Sequence, residues 1–307
     1  MNNRTSPALF LAALVLTVGL SFAGPSRDYC GATAHAAQTA CVLGANSDSE
    51  LAKAKCLNTS AAPAARACRQ AATDEKKEAL EDCKDQLEAR IDVCRELGPA
   101  IYDPPIDPND FVATVDNPFF PLTPGAIYVY ETQTQDGLER DVVEVTSQTR
   151  QILGVTCIEV HDAVSLEGVL AEDTLDWYAQ DLSGNVWYFG ENSKTIENGL
   201  VVDLEGSWEA GVDGAKPGIV MKAAPQVGDI YRQEFLLGEA EDIGRVLSLN
   251  ESATVPYGSF TGLLMTEDSS PLEPDAVEQK YYASGIGTIM EVDLETGDVT
   301  ELISVTP

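Results

Sequence analysis

The sequence predicts a mainly β protein. An antiparallel meander is expected to form a barrel, half-barrel or sandwich from two weak repeats, and a disulfide-stapled α-helical hairpin precedes it. Three observations predict this class. Six cysteines lie between Cys30 and Cys94 in a symmetrical spacing. Alternating apolar and polar residues, punctuated by glycine turns, fill the chain beyond residue 121. Short segments of that second region recur at offsets of 103 and 104 residues.

Composition allows a buried core and excludes several partners. The 307 residues suggest about two domains, and 44% hydrophobic and 22% charged residues are typical of globular proteins. A net charge of −31 opposes binding to nucleic acid or to anionic lipid, because like charges repel and no counterions are released. His35 and His161 are the only histidines, too few for a zinc site with several His ligands.

Residues 1–23 are expected to be a cleaved signal peptide. Arg4 precedes an apolar run from Ala8 to Ala23, and small residues at the −3 and −1 positions place cleavage after Ala23. The run is shorter than the ~20 residues of a membrane span, and no later segment approaches that length. No cysteine begins the expected mature chain, which argues against a lipid anchor. We therefore expect a secreted or periplasmic protein in which disulfides form.

Residues 24–98 predict a Cys-rich α-hairpin centred on Ala62. The steps between successive cysteines are 11, 15, 12, 15 and 11, the same in both directions. In an antiparallel helix pair, residues equidistant from the turn face each other, and these steps keep the cysteines on one stripe. Symmetry therefore favours a nested set of disulfides: Cys30–Cys94, Cys41–Cys83 and Cys56–Cys68. A metal cluster is the alternative, although the spacings do not resemble C-x-x-C pairs.

The rest of the chain divides into a linker and a β domain. Residues 99–121 are rich in proline and predict a linker. Residues 122–307 predict an acidic antiparallel β domain, because short turns separate successive strand-like segments. Its repeats cover about residues 122–204 and 225–307, with an inserted loop at 205–224.

Negative charge is concentrated in the predicted β domain. Residues 24–97 carry 10 basic and 12 acidic residues, whereas residues 98–307 carry 8 basic and 38 acidic residues. This charge indicates either a solvated acidic surface or a site for a cation or cationic ligand. Oxygen-rich loops suit Ca²⁺, yet no D-x-[DN]-x-[DN]-G pattern is present. We expect no cofactor, with Ca²⁺ as the alternative.

The candidate ligand-binding residues lie in and after the inserted loop. Trp208, Glu209 and Asp213 belong to the loop, and Arg232 and Glu234 follow it. A loop inserted between repeats is a better candidate for function than the strands, although Trp208 could equally anchor the loop. No catalytic residue is assigned, because G-x-S-x-G, P-loop and dinucleotide motifs are all missing from the sequence.

Several segments resemble a group of uncharacterised secreted bacterial β-rich proteins with a Cys-rich helical N-terminal segment. The segments are Thr174–Glu191, Gly206–Gly218, Tyr231–Glu234 and Val255–Phe260. The likeness extends over most of residues 117–305. It implies the β-rich fold and secretion, and it implies no activity. Gln279 is a departure, because the resemblance leads us to expect His there.

These features favour a secreted or periplasmic binding or envelope protein without enzymatic activity. A small molecule or apolar ligand would lie at one end of the barrel under the Trp208 loop, and the hairpin could contact a protein partner. Two alternatives stay open. A carboxylate-dependent hydrolase would need two carboxyl groups across a cleft, one with a raised pKa. A structural interaction module would use its acidic surface only for solubility.

Overall fold

A computed structural model describes residues 27–59 and 61–306. The signal peptide predicted at residues 1–23 lies outside these residues. The described chain is mainly β, and a pair of helices precedes a large antiparallel sheet.

The two helices form the predicted hairpin. Helix α1 (Tyr29–Leu57) begins at Asp28, whose side chain accepts a hydrogen bond from Gly31 N at 2.8 Å. Helix α2 (Ala62–Leu97) has a proline in its first turn and ends at Gly98, which has a φ of 94°. Local capping chemistry in the sequence therefore sets the helix boundaries.

Three disulfides join the helices as the symmetrical nested set. They link Cys30 to Cys94, Cys41 to Cys83, and Cys56 to Cys68. The apolar side chains buried in the hairpin are otherwise small, namely Ala34, Ala45, Ala65 and Ala72. Because alanines bury little apolar surface, the cystines provide much of what holds the two helices together.

The strands follow a short 3₁₀ helix at Pro108–Asp110. Their bounds are β1 Phe111–Val112, β2 Val115–Asn117, β3 Phe120–Leu122, β4 Ile127–Gln133, β5 Leu138–Ile152, β6 Val155–Leu166, β7 Val169–Asp181, β8 Val186–Asn192, β9 Thr195–Glu197, β10 Leu200–Asp203, β11 Trp208–Glu209, β12 Lys216–Met221, β13 Ile230–Arg232, β14 Glu234–Phe235, β15 Ile243–Val255, β16 Gly258–Ser269, β17 Val277–Ala283, β18 Gly287–Asp293 and β19 Val299–Thr306.

The sheet curls into a nearly closed antiparallel barrel. Strands β4 to β8 pair in chain order, as do β15 to β19. The last strand, β19, pairs with β4 and joins the two ends of the meander. On the opposite side β12 bridges β8 and β14, while β13 pairs with β15. Around most of the barrel, each strand is therefore paired with a neighbour on both of its edges.

The segments between the predicted units take part in the sheet. Within residues 99–121, β1 pairs with β7, and β2 with β3 forms a small separate ladder that includes Pro121. Within residues 205–224, β11 and β12 both pair with β8. Proline excludes a segment from central strands but not from short edge pairings, so proline content alone does not reveal these strands.

Two apolar clusters hold the barrel together. The larger one includes Val145, Val186, Leu264 and Leu302. The smaller cluster includes Trp177, Phe189 and Trp208. Cys157 belongs to the smaller cluster, and burial raises the pKa of its thiol to about 12. Cys157 is therefore a buried structural thiol in this fold.

Gly190 permits a close approach between β8 and the start of β11. Its φ is +141°, and an added Cβ would lie 2.4 Å from Trp208 O and 2.9 Å from Glu209 Cα. Both contacts are with backbone atoms, so no side-chain rotation could relieve them.

We expect Gly190→Ala to lower the free energy of unfolding by about 3 kcal/mol or more, measured by urea titration. Gly125→Ala is the matched control, because Gly125 also has a positive φ (+91°) but has open space around its Cα. Backbone strain alone should cost the control about 1 kcal/mol. Equal losses for the two variants would contradict a steric cause at Gly190.

Candidate functional site

The barrel interior contains a cavity of about 390 Å³, and members of the larger apolar cluster such as Val145 form part of its wall. Strands from both halves of the meander contribute to its wall. Seven carboxyl groups line it, from Asp141, Asp162, Glu191, Glu234, Asp242, Asp268 and Glu291. Five tyrosines line it as well: Tyr128, Tyr130, Tyr178, Tyr188 and Tyr282. Lys280 supplies the only cationic side chain among the described lining residues.

Lys280 is surrounded by carboxylates. Its Nζ lies 3.5 Å from Asp268, 3.1 Å from Glu278 and 3.5 Å from Glu291. Desolvation would lower the pKa of Lys280, but the attraction of Glu291, Asp268 and Glu278 outweighs it and holds that pKa well above its ordinary value. Lys280 is therefore a charged ammonium group at neutral pH. Its three carboxylate neighbours show how side chains of the barrel interior stabilise an ammonium ion.

In the opposite half of the barrel, Glu191 lines the cavity and Asp176 lies opposite it in the β7–β8 pair without being a lining residue. In the part of the chain that the structure describes, no lysine or arginine forms an ion pair with either carboxyl. Asp176 accepts a hydrogen bond from Tyr188 Oη at 2.5 Å, and burial raises the pKa of Asp176 to about 7. Burial, Asp176 and Glu172 raise the pKa of Glu191 to about 8. At neutral pH both groups therefore hold protons for a substantial part of the time.

Asp141 and Asp162 form a pair on neighbouring strands β5 and β6. Burial and the hydrogen-bonding contact with Asp162 raise the pKa of Asp141 strongly, and burial also raises that of Asp162. One oxygen of each carboxyl, Oδ1, is buried without a hydrogen-bond partner among the described residues. Two adjacent carboxyls cannot both be ionised cheaply, so the pair is expected to share a proton.

Glu234 and Asp242 bring two more buried carboxyls to the wall. The Glu234 residue is only 7% exposed, and burial, Asp242 and Glu191 raise the pKa of its carboxyl well above the ordinary value. Burial likewise raises the pKa of Asp242. Among the described residues, no lysine or arginine forms an ion pair with either group.

The tyrosines give the cavity aromatic faces. Tyr178 and Tyr188 are stacked, with ring centroids 4.7 Å apart and planes inclined by 15°. Tyr130 donates a hydrogen bond to Thr288 O at 3.0 Å, which fixes its ring against β18. Aromatic faces are electron-rich and attract cations, as the neighbouring carboxylates do.

The two halves of the barrel, strands β4 to β8 and strands β15 to β19, place different charges at corresponding positions. Opposite side chains in an antiparallel pair lie on the same face. Lys280 in β17 lies opposite Glu291 in β18. In β7, 104 residues earlier, Asp176 lies opposite Glu191 in β8. Both pairs are next to a register shift in their ladders. The second half thus has an internal ammonium–carboxylate pair where the first half has two acids.

The five residues proposed from the sequence are dispersed. Glu234 lines the cavity. Trp208 packs edge-on against Tyr188 with centroids 5.3 Å apart, so it lies behind the cavity wall. Glu209 pairs with Arg150 at 2.5 Å, and Asp213 is exposed in a turn. Arg232 lines a second cavity between the hairpin and the barrel.

Sequence reasoning missed the acids contributed by the strands. On β5, Asp141, Val143 and Val145 alternate and all line the cavity. Asp141 occupies the position that continues the alternating series of inward-facing valines. An acidic residue at such a position is the sequence signal that could have identified it. The pattern was hidden because exposed acids surround it on the same strands.

Within residues 27–59 and 61–306, no group of three or more His, Cys, Asp or Glu side chains has the arrangement of a metal-ion site. No helix in this part of the chain is long and apolar enough to cross a membrane.

Comparisons with known proteins add little. No protein-family model matches the chain, and no curated protein matches it. A solved structure from Parabacteroides distasonis, described as a "putative lipoprotein", is similar over 61% of this chain and 98% of its own. The identity is 13% and the TM-score is 0.33.

Proposed function

We propose that the protein is a secreted or periplasmic binding protein that holds a small organic cation in the barrel cavity. The ligand would be an ammonium compound with an apolar or aromatic body. One observation carries the proposal: Asp176 and Glu191 face each other where the other half of the barrel has Lys280 and Glu291.

The charge of the cavity supports a cationic ligand. Seven carboxyls and one ammonium group line it. Burying ionised carboxylates without counterions costs several kcal/mol, so without a ligand these groups retain protons instead. A bound cation would replace those protons, because it favours the ionised carboxylates. Binding should therefore release protons and become tighter as pH rises.

The shape and lining of the cavity favour an organic ammonium ion. A volume of about 390 Å³ falls in the range of small-molecule sites. Tyr178 and Tyr188 offer faces for a cation–π contact near Glu191. Val143 and Val145 line the cavity together with the carboxyls and give it an apolar surface. An ammonium head could thus lie among the acids while its body contacts the valines.

The disulfides of the hairpin and the predicted signal peptide support the proposed location. Three disulfides hold the helices, and such bonds persist in oxidising compartments outside the cytosol. Export by the predicted signal peptide, with cleavage after Ala23, would deliver the chain there.

Calorimetric titration tests the proposal. Benzyltrimethylammonium and spermidine are the cationic probes, and benzyl alcohol and benzoate are the neutral and anionic controls. We expect the purified protein to bind at least one cation with proton release, seen as a dependence of the heat on buffer ionisation enthalpy. Equal binding of benzyl alcohol, or binding without proton release, would contradict the proposal.

Hydrolysis is a second candidate, favoured by the Asp141–Asp162 pair. The raised pKa of Asp141 leaves a neutral carboxylic acid beside a second carboxyl, the combination that acid-catalysed hydrolysis uses. Incubation with cationic esters and glycosides, followed by mass spectrometry, separates the two functions. Product formation that Asp141→Asn abolishes would favour hydrolysis over binding alone.

A further inference from the structure

We propose that a second cavity, between the helical hairpin and the barrel, binds a small carboxylate with an aliphatic body. The cavity has a volume of about 370 Å³. Both helices, the segment after α2, and the β13–β14 region line it. It is separate from the barrel cavity, and the inference does not depend on the function proposed above.

The wall of the second cavity is mostly apolar. Ala34 comes from α1 and Leu97 from α2, while Ile101 follows the hairpin. Phe235 and Leu237 close the barrel side. These side chains would contact the aliphatic body of a ligand.

Two buried arginines line the same cavity. Arg90 is 5% exposed and Arg232 is 9% exposed. Glu241, 1% exposed, is the only acidic residue among the described lining residues. The cavity therefore has one more cation than it has anions, in a protein whose net charge is −31.

The Glu241 carboxylate already accepts hydrogen bonds from a guanidinium group and from a backbone N–H. Arg90 binds it through Nε at 3.1 and 3.0 Å and through Nη2 at 2.7 Å. The backbone N–H of Gly238 donates to the same carboxylate at 2.8 Å. The ion pair of Glu241 is thus made with Arg90. Among the residues that the structure describes, no carboxylate lies within ion-pair distance of Arg232, although the charge of Glu241 still attracts it.

Arg232 is buried between two rings. Its guanidinium carbon lies 4.6 Å from the centre of the Phe235 ring and 5.5 Å from that of Tyr102. Within the described part of the chain, its buried Nη1 has no hydrogen-bond partner, and the same is true of Arg90 Nη1. An unpaired buried guanidinium is costly, and burial accordingly lowers the pKa of Arg232.

A carboxylate is the ligand group that matches this arrangement. Guanidinium groups bind carboxylates through paired N–H donors, and the flanking rings hold Arg232 in a fixed plane. A ligand carboxylate would supply the missing counterion and hydrogen-bond acceptors. Its aliphatic chain would fill the apolar remainder of the cavity. Because the ligand would touch both the hairpin and the barrel, binding should also strengthen their association.

Thermal unfolding and calorimetry with octanoate test the inference on the whole mature protein. Octanol and octylamine are the neutral and cationic controls of equal chain length. We expect octanoate to raise the midpoint of thermal unfolding and to bind with a stoichiometry of one, and the two controls to have much smaller effects. Equal effects of octanol and octanoate, or no binding of octanoate, would overturn the inference.

Variants connect the binding to Arg232. Arg232→Met should weaken octanoate binding at least about tenfold, while the stability of the ligand-free protein stays equal or rises because an unpaired buried charge is removed. Arg140→Gln is the matched control, since that arginine pairs with Glu131 on the exposed surface. Undiminished octanoate binding by Arg232→Met would refute the assignment. Should Arg232→Met fail to fold, the octanoate and octanol comparison decides the question with the unmodified protein.

A further variant separates the two proposed sites. Glu191→Gln changes the barrel cavity and should leave octanoate binding intact, because Glu191 does not line the second cavity. Loss of octanoate binding in Glu191→Gln would place the carboxylate elsewhere and contradict the inference.

Discussion

Glu191→Gln should weaken binding of an ammonium ligand roughly 30-fold or more, which corresponds to about 2 kcal/mol. Glu191 lines the barrel cavity beside the stacked Tyr178 and Tyr188. Glutamine keeps the size of the side chain and removes the charge that would pair with the ligand. The same substitution should raise the stability of the ligand-free protein at alkaline pH.

The stability effect follows from the raised pKa of Glu191, about 8 in the folded protein. The folded protein keeps a proton that the unfolded chain releases near the ordinary glutamate pKa of about 4.3. The resulting contribution to stability is fully present below that value and is lost as pH rises through about 8. Asp176, with a pKa raised to about 7, behaves in the same way.

Ligand-free protein should therefore lose stability between pH 5 and pH 9, while Glu191→Gln should lose less. At pH 9 we expect the variant to be more stable than the unmodified protein by roughly 1–3 kcal/mol, with no such gain at pH 5. Urea titrations at the two pH values measure this difference.

Glu144→Gln provides the control for this experiment. Glu144 is exposed on β5, so its substitution should change neither ligand binding nor the pH dependence of stability. Identical behaviour of the two variants would show that Glu191 is not buried in an acidic cavity.

Reduction of the three disulfides should unfold the helical hairpin and leave the barrel folded. The hairpin buries mostly alanines, whereas each disulfide contributes about 2–4 kcal/mol. Side-chain hydrogen bonds of Gln86, Arg90 and Glu96 tie α2 to the barrel. These contacts cannot replace the cystines that connect α2 to α1.

Two spectroscopic signals distinguish the parts of the protein. The three tryptophans, Trp177, Trp187 and Trp208, all lie in the barrel, so their fluorescence reports on the barrel alone. Far-ultraviolet circular dichroism reports the helices. With dithiothreitol, we expect the helical signal to be lost at a temperature where the fluorescence is unchanged.

Cys157→Ala serves as the control, because Cys157 is the free cysteine and lies in the barrel. This variant should respond to dithiothreitol as the unmodified protein does. Simultaneous loss of both signals on reduction would show that the hairpin and the barrel unfold as one unit.

The hairpin could be predicted from the sequence because its determinants are local or symmetrical. The palindromic cysteine spacing indicated the nested pairs, and in the structure Asp28, Pro63 and Gly98 lie where the helices begin or end. The antiparallel β class followed from alternation and turns. Neither signal depends on which distant strands become neighbours.

The site was only partly predictable for the same reason. Glu234 was among the candidates, but the preference for Trp208 rested on its place in a glycine-rich loop. In the structure the Trp208 ring packs behind Tyr188 and does not line the cavity. Whether an aromatic ring faces a ligand or the core depends on neighbours that a linear sequence does not specify.

By itself the sequence determined the helical hairpin, the antiparallel β class and a strong negative charge. The tertiary structure decided which of the many acids became a site. Asp141, Glu191 and Glu291 are far apart in the chain, and they meet in one cavity because β19 pairs with β4 and the sheet curls into a barrel. An acid on the outer face of a strand is solvated, whereas one on the inner face is desolvated and needs a proton or a cation. That difference arises only when the barrel closes.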